Sequence, residues 1–219
     1  MTTEVGLTGV LVFLILNLVA SYLLSQYNIA KVLSLLFLSL FFVFGALSVS
    51  QHPTGRLVFG GLALAAVGFI WVDYFFPALN LGTGRVLAGM VAIGYLVVLL
   101  LRHIFSKGAI TYHRICGAIA VYLLVALIWS EIYLLILGFD PGALVLPPEV
   151  LYGSLDRLQA QMFYFSVVTL TTLGYGDIVP VSASAQLAAM LESLIGQLYP
   201  TILLAWLVSM EIANRTQKD

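Results

Sequence analysis

Residues 169–177 read Thr169-Leu170-Thr171-Thr172-Leu173-Gly174-Tyr175-Gly176-Asp177, and this nine-residue string lies between two long apolar segments. A bare Gly-Tyr-Gly suits any turn. Flanked in this way, Thr-x-Gly-Tyr-Gly offers a run of backbone carbonyls able to replace the water shell of a permeating cation. Those carbonyls must point one way, which asks alternate residues for backbone angles that a Cβ resists, hence Gly174 and Gly176. Thr172 adds a hydroxyl at the inner end of the run, and Asp177 sets a carboxylate at the outer mouth. Tyr175 is expected to turn its ring away from the ion path and wedge the strand against neighbouring aromatics.

The surrounding chain is membrane-like. Of 219 residues, 62% are hydrophobic and only 9% charged, with a mean hydropathy of +1.08. Soluble domains carry about 25% charged residues, so the composition indicates an integral membrane protein, and the fold expected is all-α. A net charge of −1 without a basic stripe excludes nucleic acid as a partner. No nucleophile–base cluster, metal motif or phosphate loop points to an enzyme. The single cysteine, Cys116, reads as a small core hydrophobe. His52, His103 and His113 fall at predicted helix ends without metal-ligand spacing and read as interfacial residues, with proton sensing the alternative for the latter two. The first apolar stretch lacks the basic start and cleavage site of a signal peptide.

A bilayer core of ~30 Å takes about 20 apolar residues in helix, and the sequence supplies this length six times. The segments run over Val5–Leu24, Val32–Val49, Leu57–Phe76, Val86–Phe105, Tyr112–Leu137 and Ala183–Ile212. Between the fifth and sixth, Leu158–Leu170 is too short to span and suits a re-entrant half-helix leading into the Gly-rich string. With the N-terminus inside, the cytoplasmic face receives Arg56, Arg102, Lys107, Arg114, Arg215 and Lys218, and the outer face only Lys31, Arg85 and Arg157. The positive-inside rule selects that topology, with both termini cytoplasmic. Asp140, Glu149, Asp156 and Asp177 then face outward, where they concentrate cations, and Trp71 and Trp129 fall near outer helix ends.

One strand supplies carbonyls from one side only, so a single string per chain implies a homotetramer with fourfold symmetry. The half-helices then direct the negative ends of their dipoles at the centre.

From Tyr112 to about Met210 the chain resembles the pore module of tetrameric potassium channels: outer helix, pore helix, filter, inner helix. The match rests on Phe163-Tyr164-Phe165-Ser166-Val167-Val168 running into the string, with Val179-Pro180 after it. The resemblance implies that the carbonyls of Thr172, Leu173, Gly174 and Tyr175, in a filter closed by Gly176, hold K+, the transported ion. Tyr164 and Phe165 stand where the family often has two tryptophans bracing the filter, and Leu173 replaces the commoner valine or isoleucine. The layout is similar to small prokaryotic six-segment channels, implying a prokaryotic plasma membrane, contact with membrane lipid, a four-helix unit over residues 1–108 and a pore domain over 109–219.

In segment six, Gly196 stands where the family's inner helix bends, 19 residues after Asp177, and Pro200 follows one turn later. A hinge at Gly196 is the reading taken, with close helix packing the alternative. Gln197, Pro200, Leu204 and Val208 are expected to face the cavity and gate. Glu192 is costly within a bilayer, about 2.5–3.5 kcal/mol on insertion scales; it is expected to brace the pore helix through Thr171 or Ser166. Asn214 to Asp219 are too few residues to fold as a ligand-binding domain.

A voltage sensor needs a basic residue at every third position of segment four. Here Arg85 and Arg102 bracket 16 residues without charge, and segment three offers only Asp73 as an acidic partner, so no steep voltage dependence is expected. A non-conducting regulatory or structural subunit, a weakly selective cation channel and a transporter are the competing readings; no repeated broken helices favour the last.

Overall fold

The computed structural model describes residues 2–24, 36, 39–43, 45, 53–76, 82–106, 111–151 and 155–216. Seven helices stand among them: α1 (Thr2–Leu24), α2 (Pro53–Phe75), α3 (Gly82–Ile104), α4 (Tyr112–Phe139), the single turn α5 (Pro148–Leu151), α6 (Leu155–Leu170) and α7 (Ala183–Thr216). Most of segment two, with Lys31 and His52, lies outside the described residues, as does Lys107. Three of the described helices, Gly82–Ile104, Tyr112–Phe139 and Ala183–Ile212, are long and apolar enough to cross a membrane; shorter apolar stretches, Leu7–Val19 and Leu57–Val72, lie in α1 and α2. The chain is an all-α integral membrane protein.

Helix boundaries exceed the apolar segments because termini tolerate polar residues. Pro53 opens α2, where its missing N–H and fixed φ suit the first turn. Gly82 to Arg85, read as a connection, already belong to α3. The half-helix α6 has 16 residues, beginning three before the expected Leu158, and at ~1.5 Å per residue it remains too short to span.

Helix α4 is the hub, packing on α1, α3, α6 and α7. Lipid tails are as apolar as leucine, so helices associate in a membrane by close packing and hydrogen bonds. Small residues accordingly line the contacts: Gly117 of α4 meets Leu7 of α1, and Gly84 of α3 meets Phe69 of α2. One buried cluster joins Leu7, Val10 and Leu14 to Phe59, Leu96, Leu100, Val121 and Leu124. A second joins Tyr133, Leu137 and Leu144 to Met162, Phe165, Ile178 and Ala188, and packs behind the Gly-rich string.

His113 Nδ1 lies 2.8 Å from Thr8 Oγ1, which sets the starts of α1 and α4 side by side. At the same end the Arg114 guanidinium donates to the carbonyl and hydroxyl of Ser106, each at 3.0 Å, and Phe105 meets Trp206 of α7 edge to face at 5.0 Å. The opposite end carries a two-stranded antiparallel ribbon, β1 (Leu144–Val145) with β2 (Val179–Pro180). Gly142 N–H donates to Asp140 Oδ1 at 3.1 Å, which tightens the turn feeding β1.

Candidate functional site: the Gly-rich strand and its supports

The strand begins where α6 stops. A helix leaves its last four carbonyls without intrahelical donors. Here Val167 O takes the Thr171 N–H at 3.0 Å, Val168 O those of Leu173 and Gly174 at 2.9 and 3.4 Å, and Thr169 O that of Thr172 at 2.9 Å. Leu170 O takes the hydroxyl of Tyr122, from α4, at 3.0 Å. The helix end is therefore closed by the Gly-rich string's own backbone and by one distant side chain.

Beyond it the backbone alternates. Gly174 and Gly176 have φ of 58° and 78°, and Thr172 has φ of 59°. Left-handed backbone at every second residue turns successive peptide planes so that the carbonyls share a face. Two of the three positions are glycines, as expected. The third is a β-branched threonine, for which positive φ costs roughly 1–2 kcal/mol, a strain held in place by the Thr172 N–H bond to Thr169.

Tyr164 and Tyr175 stack in parallel, centroids 6.5 Å apart at 9°, so Tyr164 braces the strand. Phe165, expected beside it, faces the other way: it is buried against Tyr133 of α4, edge to face at 4.8 Å. A helix sends adjacent residues to different faces. Thr171 Oγ1 bonds Val167 O at 2.7 Å and stays on its own helix. Asp177 is exposed. The outgoing limb is clamped to the β1 side, with Val181 and Ser182 N–H donating to Ala143 O at 2.9 and 3.2 Å. Ser182 then caps α7, its hydroxyl accepting from Ala185 N–H at 3.2 Å.

Glu192, Ser166 and Tyr133 form a polar cluster, with Glu192 and Tyr133 fully buried between helices and Ser166 beside them. The Tyr133 hydroxyl donates to Glu192 Oε2 at 2.6 Å, and Ser166 Oγ makes a short hydrogen bond to Glu192 Oε1 while lying 2.8 Å from Ala126 O. The Ser166 option is thus the one the fold uses, and Thr171 takes no part. Glu131 of α4, another acid within the apolar segments, went unremarked in the sequence. Its Oε2 is buried without a hydrogen-bond partner among the described residues, and Arg85 acts on it as a cation. With the Gln159 amide oxygen turned toward it, Arg85 Nη1 donates at 3.0 Å, tying the start of α3 to the pore helix.

Helix α7 runs unbroken through Gly196 and Pro200. A Cβ on Gly196 would overlap the Leu170 carbonyl, so this glycine permits a close approach of α7 to the end of α6. Gln197 is exposed, as are Leu204 and Val208, while Pro200 is half-buried. An open groove of about 620 Å³ follows α7 beside the strand, lined by Thr172, Pro180, Gln186, Ser193, Leu194 and Gln197.

Residues 121–212 match the model of a family described as ion channel. Over 128 residues the chain is 32% identical to the voltage-gated potassium channel Kch of Escherichia coli (strain K12), covering 58% of this chain and 26% of that protein. The chain spans about a quarter of the length of this curated relative. No solved structure matches. Through the module that ends in the unbroken helix α7, the chain is thus similar to ion channels and, at 32% identity over part of its length, to a potassium channel.

Proposed function

We propose that four copies of this chain surround an axis and conduct K+ passively, with the Thr172 hydroxyl and the carbonyls of Thr172, Leu173, Gly174 and Tyr175 replacing the ion's water. The observation that carries this reading is the alternating positive φ at Thr172, Gly174 and Gly176, which aligns a ladder of carbonyls on a strand whose Leu173 and Tyr175 stay 56% and 66% exposed in one protomer. An exposed non-helical strand survives at membrane depth only when covered by protein or lining a wet cavity. Neighbouring copies supply that cover, and the groove along α7 is where one would seat. The 620 Å³ of open space beside Thr172 and Gln197 supports it.

In this assembly residues 109–219 form the pore and residues 1–108 a peripheral unit of four spans, six in all. Gln197, Pro200, Leu204 and Val208 line the cavity and gate, Gly176 and Asp177 close the outer mouth, and Tyr164 and Glu192 brace the filter. Both termini lie in the cytoplasm of a prokaryotic cell. The relative's name includes voltage gating, but α3 carries no charge between Arg85 and Arg102, which supports a pore without steep voltage dependence.

The test is the reversal potential of the purified protein in a planar bilayer with K+ on one side and Na+ on the other. A strong shift toward the potassium equilibrium potential, with block by barium, is expected. A reversal near zero overturns selectivity, and persistent absence of current favours a non-conducting subunit.

A further inference from the structure

The Tyr122 hydroxyl sits where three helices meet. It lies 3.0 Å from Leu170 O, the last carbonyl of the pore helix α6, and 3.5 Å from Gly196 O of the inner helix α7. Two features of the chain create this junction. In a helix the carbonyl of residue i accepts from the N–H of residue i+4; for Gly196 that residue is Pro200, which has no N–H. The Gly196 carbonyl thus lacks its ordinary donor. Gly196 itself has no Cβ, and one added there would overlap the Leu170 carbonyl, so the two backbones approach closely enough to share one hydroxyl. The Tyr122 ring is held by stacking on Tyr199, centroids 5.9 Å apart at 23°, whose own hydroxyl bonds Ala118 O at 2.9 Å.

A phenol has one proton and can satisfy one acceptor at a time. At the observed distances Leu170 O holds it. The Leu170 peptide opens the path into Thr171 and the strained Thr172, whose hydroxyl and carbonyl form the innermost ion site in the reading above.

We propose that Tyr122 is a positioning residue for that site, its proton divided between the Leu170 carbonyl at the filter base and the Gly196 carbonyl that Pro200 leaves without a backbone donor. The inference rests on the potassium-pore reading. It assigns Pro200 a role beyond bending: an inner-helix movement bringing Gly196 O nearer the hydroxyl withdraws the donor from Leu170 and loosens the filter base. Filter and inner helix are then coupled through one proton.

Tyr122→Phe removes the oxygen and keeps the ring, its stacking and its volume; Tyr199→Phe does the same one ring away, on a bond that does not reach the filter. The measurement is thermal denaturation of the purified full chain in detergent as K+ replaces Na+ at constant ionic strength. A ligand that binds only the folded state stabilises it in proportion to its occupancy, so the K+ concentration giving half the stabilisation reads the filter's affinity without requiring an open gate. Tyr122→Phe is expected to raise that concentration about fivefold or more, the scale of one lost hydrogen bond, while Tyr199→Phe stays within about twofold of wild type. Pro200→Ala supplies Gly196 O with an N–H, leaves the phenol to Leu170 alone, and is expected to lower the midpoint. Equal shifts in both tyrosine variants, an unchanged Tyr122→Phe, or a raised midpoint in Pro200→Ala overturns the inference alone. A wild type indifferent to K+ overturns the potassium reading itself, and the inference with it.

Discussion

The polar residues buried behind the filter are where single atoms decide the outcome. In the bilayer no water competes for Glu192, so each of its oxygens must find a donor in the protein, and Tyr133 and Ser166 provide one each. The strut joins α4, α6 and α7 one turn before the filter. Glu192→Gln keeps an acceptor for Tyr133 and an amide for Ser166, whereas Glu192→Leu leaves the Ser166 hydroxyl only Ala126 O and orphans the Tyr133 hydroxyl, at a cost of about 1–3 kcal/mol. The expected order of thermal stability and of K+ selectivity is wild type, then Gln, then Leu; a leucine variant equal to wild type in both removes the bracing role. At this scale the sequence was partly legible. Gly174 and Gly176 announce positive φ because no other residue takes it freely, but Thr172 adopts the same angle against its own preference, so no local signal marks it. Glu192 was legible as a charge needing a partner. Tyr122 was not, since its acceptor lies 48 residues away and belongs to the backbone.

Among the elements, α7 shows how a contact rather than a propensity fixes a residue. Its helix continues through Gly196 and Pro200, both poor helix formers, because the first is needed for contact and the carbonyl that the second leaves without an N–H, Gly196 O, lies 3.5 Å from the Tyr122 hydroxyl. Gly196→Ala places a methyl on the Leu170 carbonyl, a backbone group that cannot rotate away. The expected result is a loss of about 1–3 kcal/mol, in the range for overpacking, seen as a lower Tm of the purified protein. An unchanged Tm with altered opening would return the residue to the role of hinge. The periodicity of apolar runs located these helices but not their ends, since Pro53, Gly82 and Leu155 already lie in helix ahead of the apolar runs. The ribbon between Leu144–Val145 and Val179–Pro180 was equally hidden, being two residues long on each side.

At the scale of the whole molecule, α3 is tied to the pore at both ends. Arg85 meets Gln159 of the pore helix and acts on Glu131 of α4, while Phe105 packs on Trp206 of the inner helix. The place of the Gly-rich string between α4 and α7 was legible because these elements announce themselves by length and polarity; the cross-connections were not, because they pair residues remote in sequence. Their consequence bears on voltage. Moving one elementary charge through the membrane field yields ~2.3 kcal/mol per 100 mV, and a steep sensor needs several such charges per subunit free to travel. Helix α3 offers Arg85 at one end, engaged with the pore helix, and Arg102 in the last turn at the other, with only uncharged residues between. Translating the helix would strip Arg85 from Gln159 and pull Phe105 from Trp206 for less than one charge crossing the field. Open probability measured from −100 to +100 mV is therefore expected to change with an equivalent gating charge below about one elementary charge per subunit. Neutralising the charge in Arg85→Gln should leave that slope unchanged while lowering stability. A slope of several charges, lost in Arg85→Gln, would make α3 a sensor; a flat response makes it a strut that ties α6 at one end to α7 at the other.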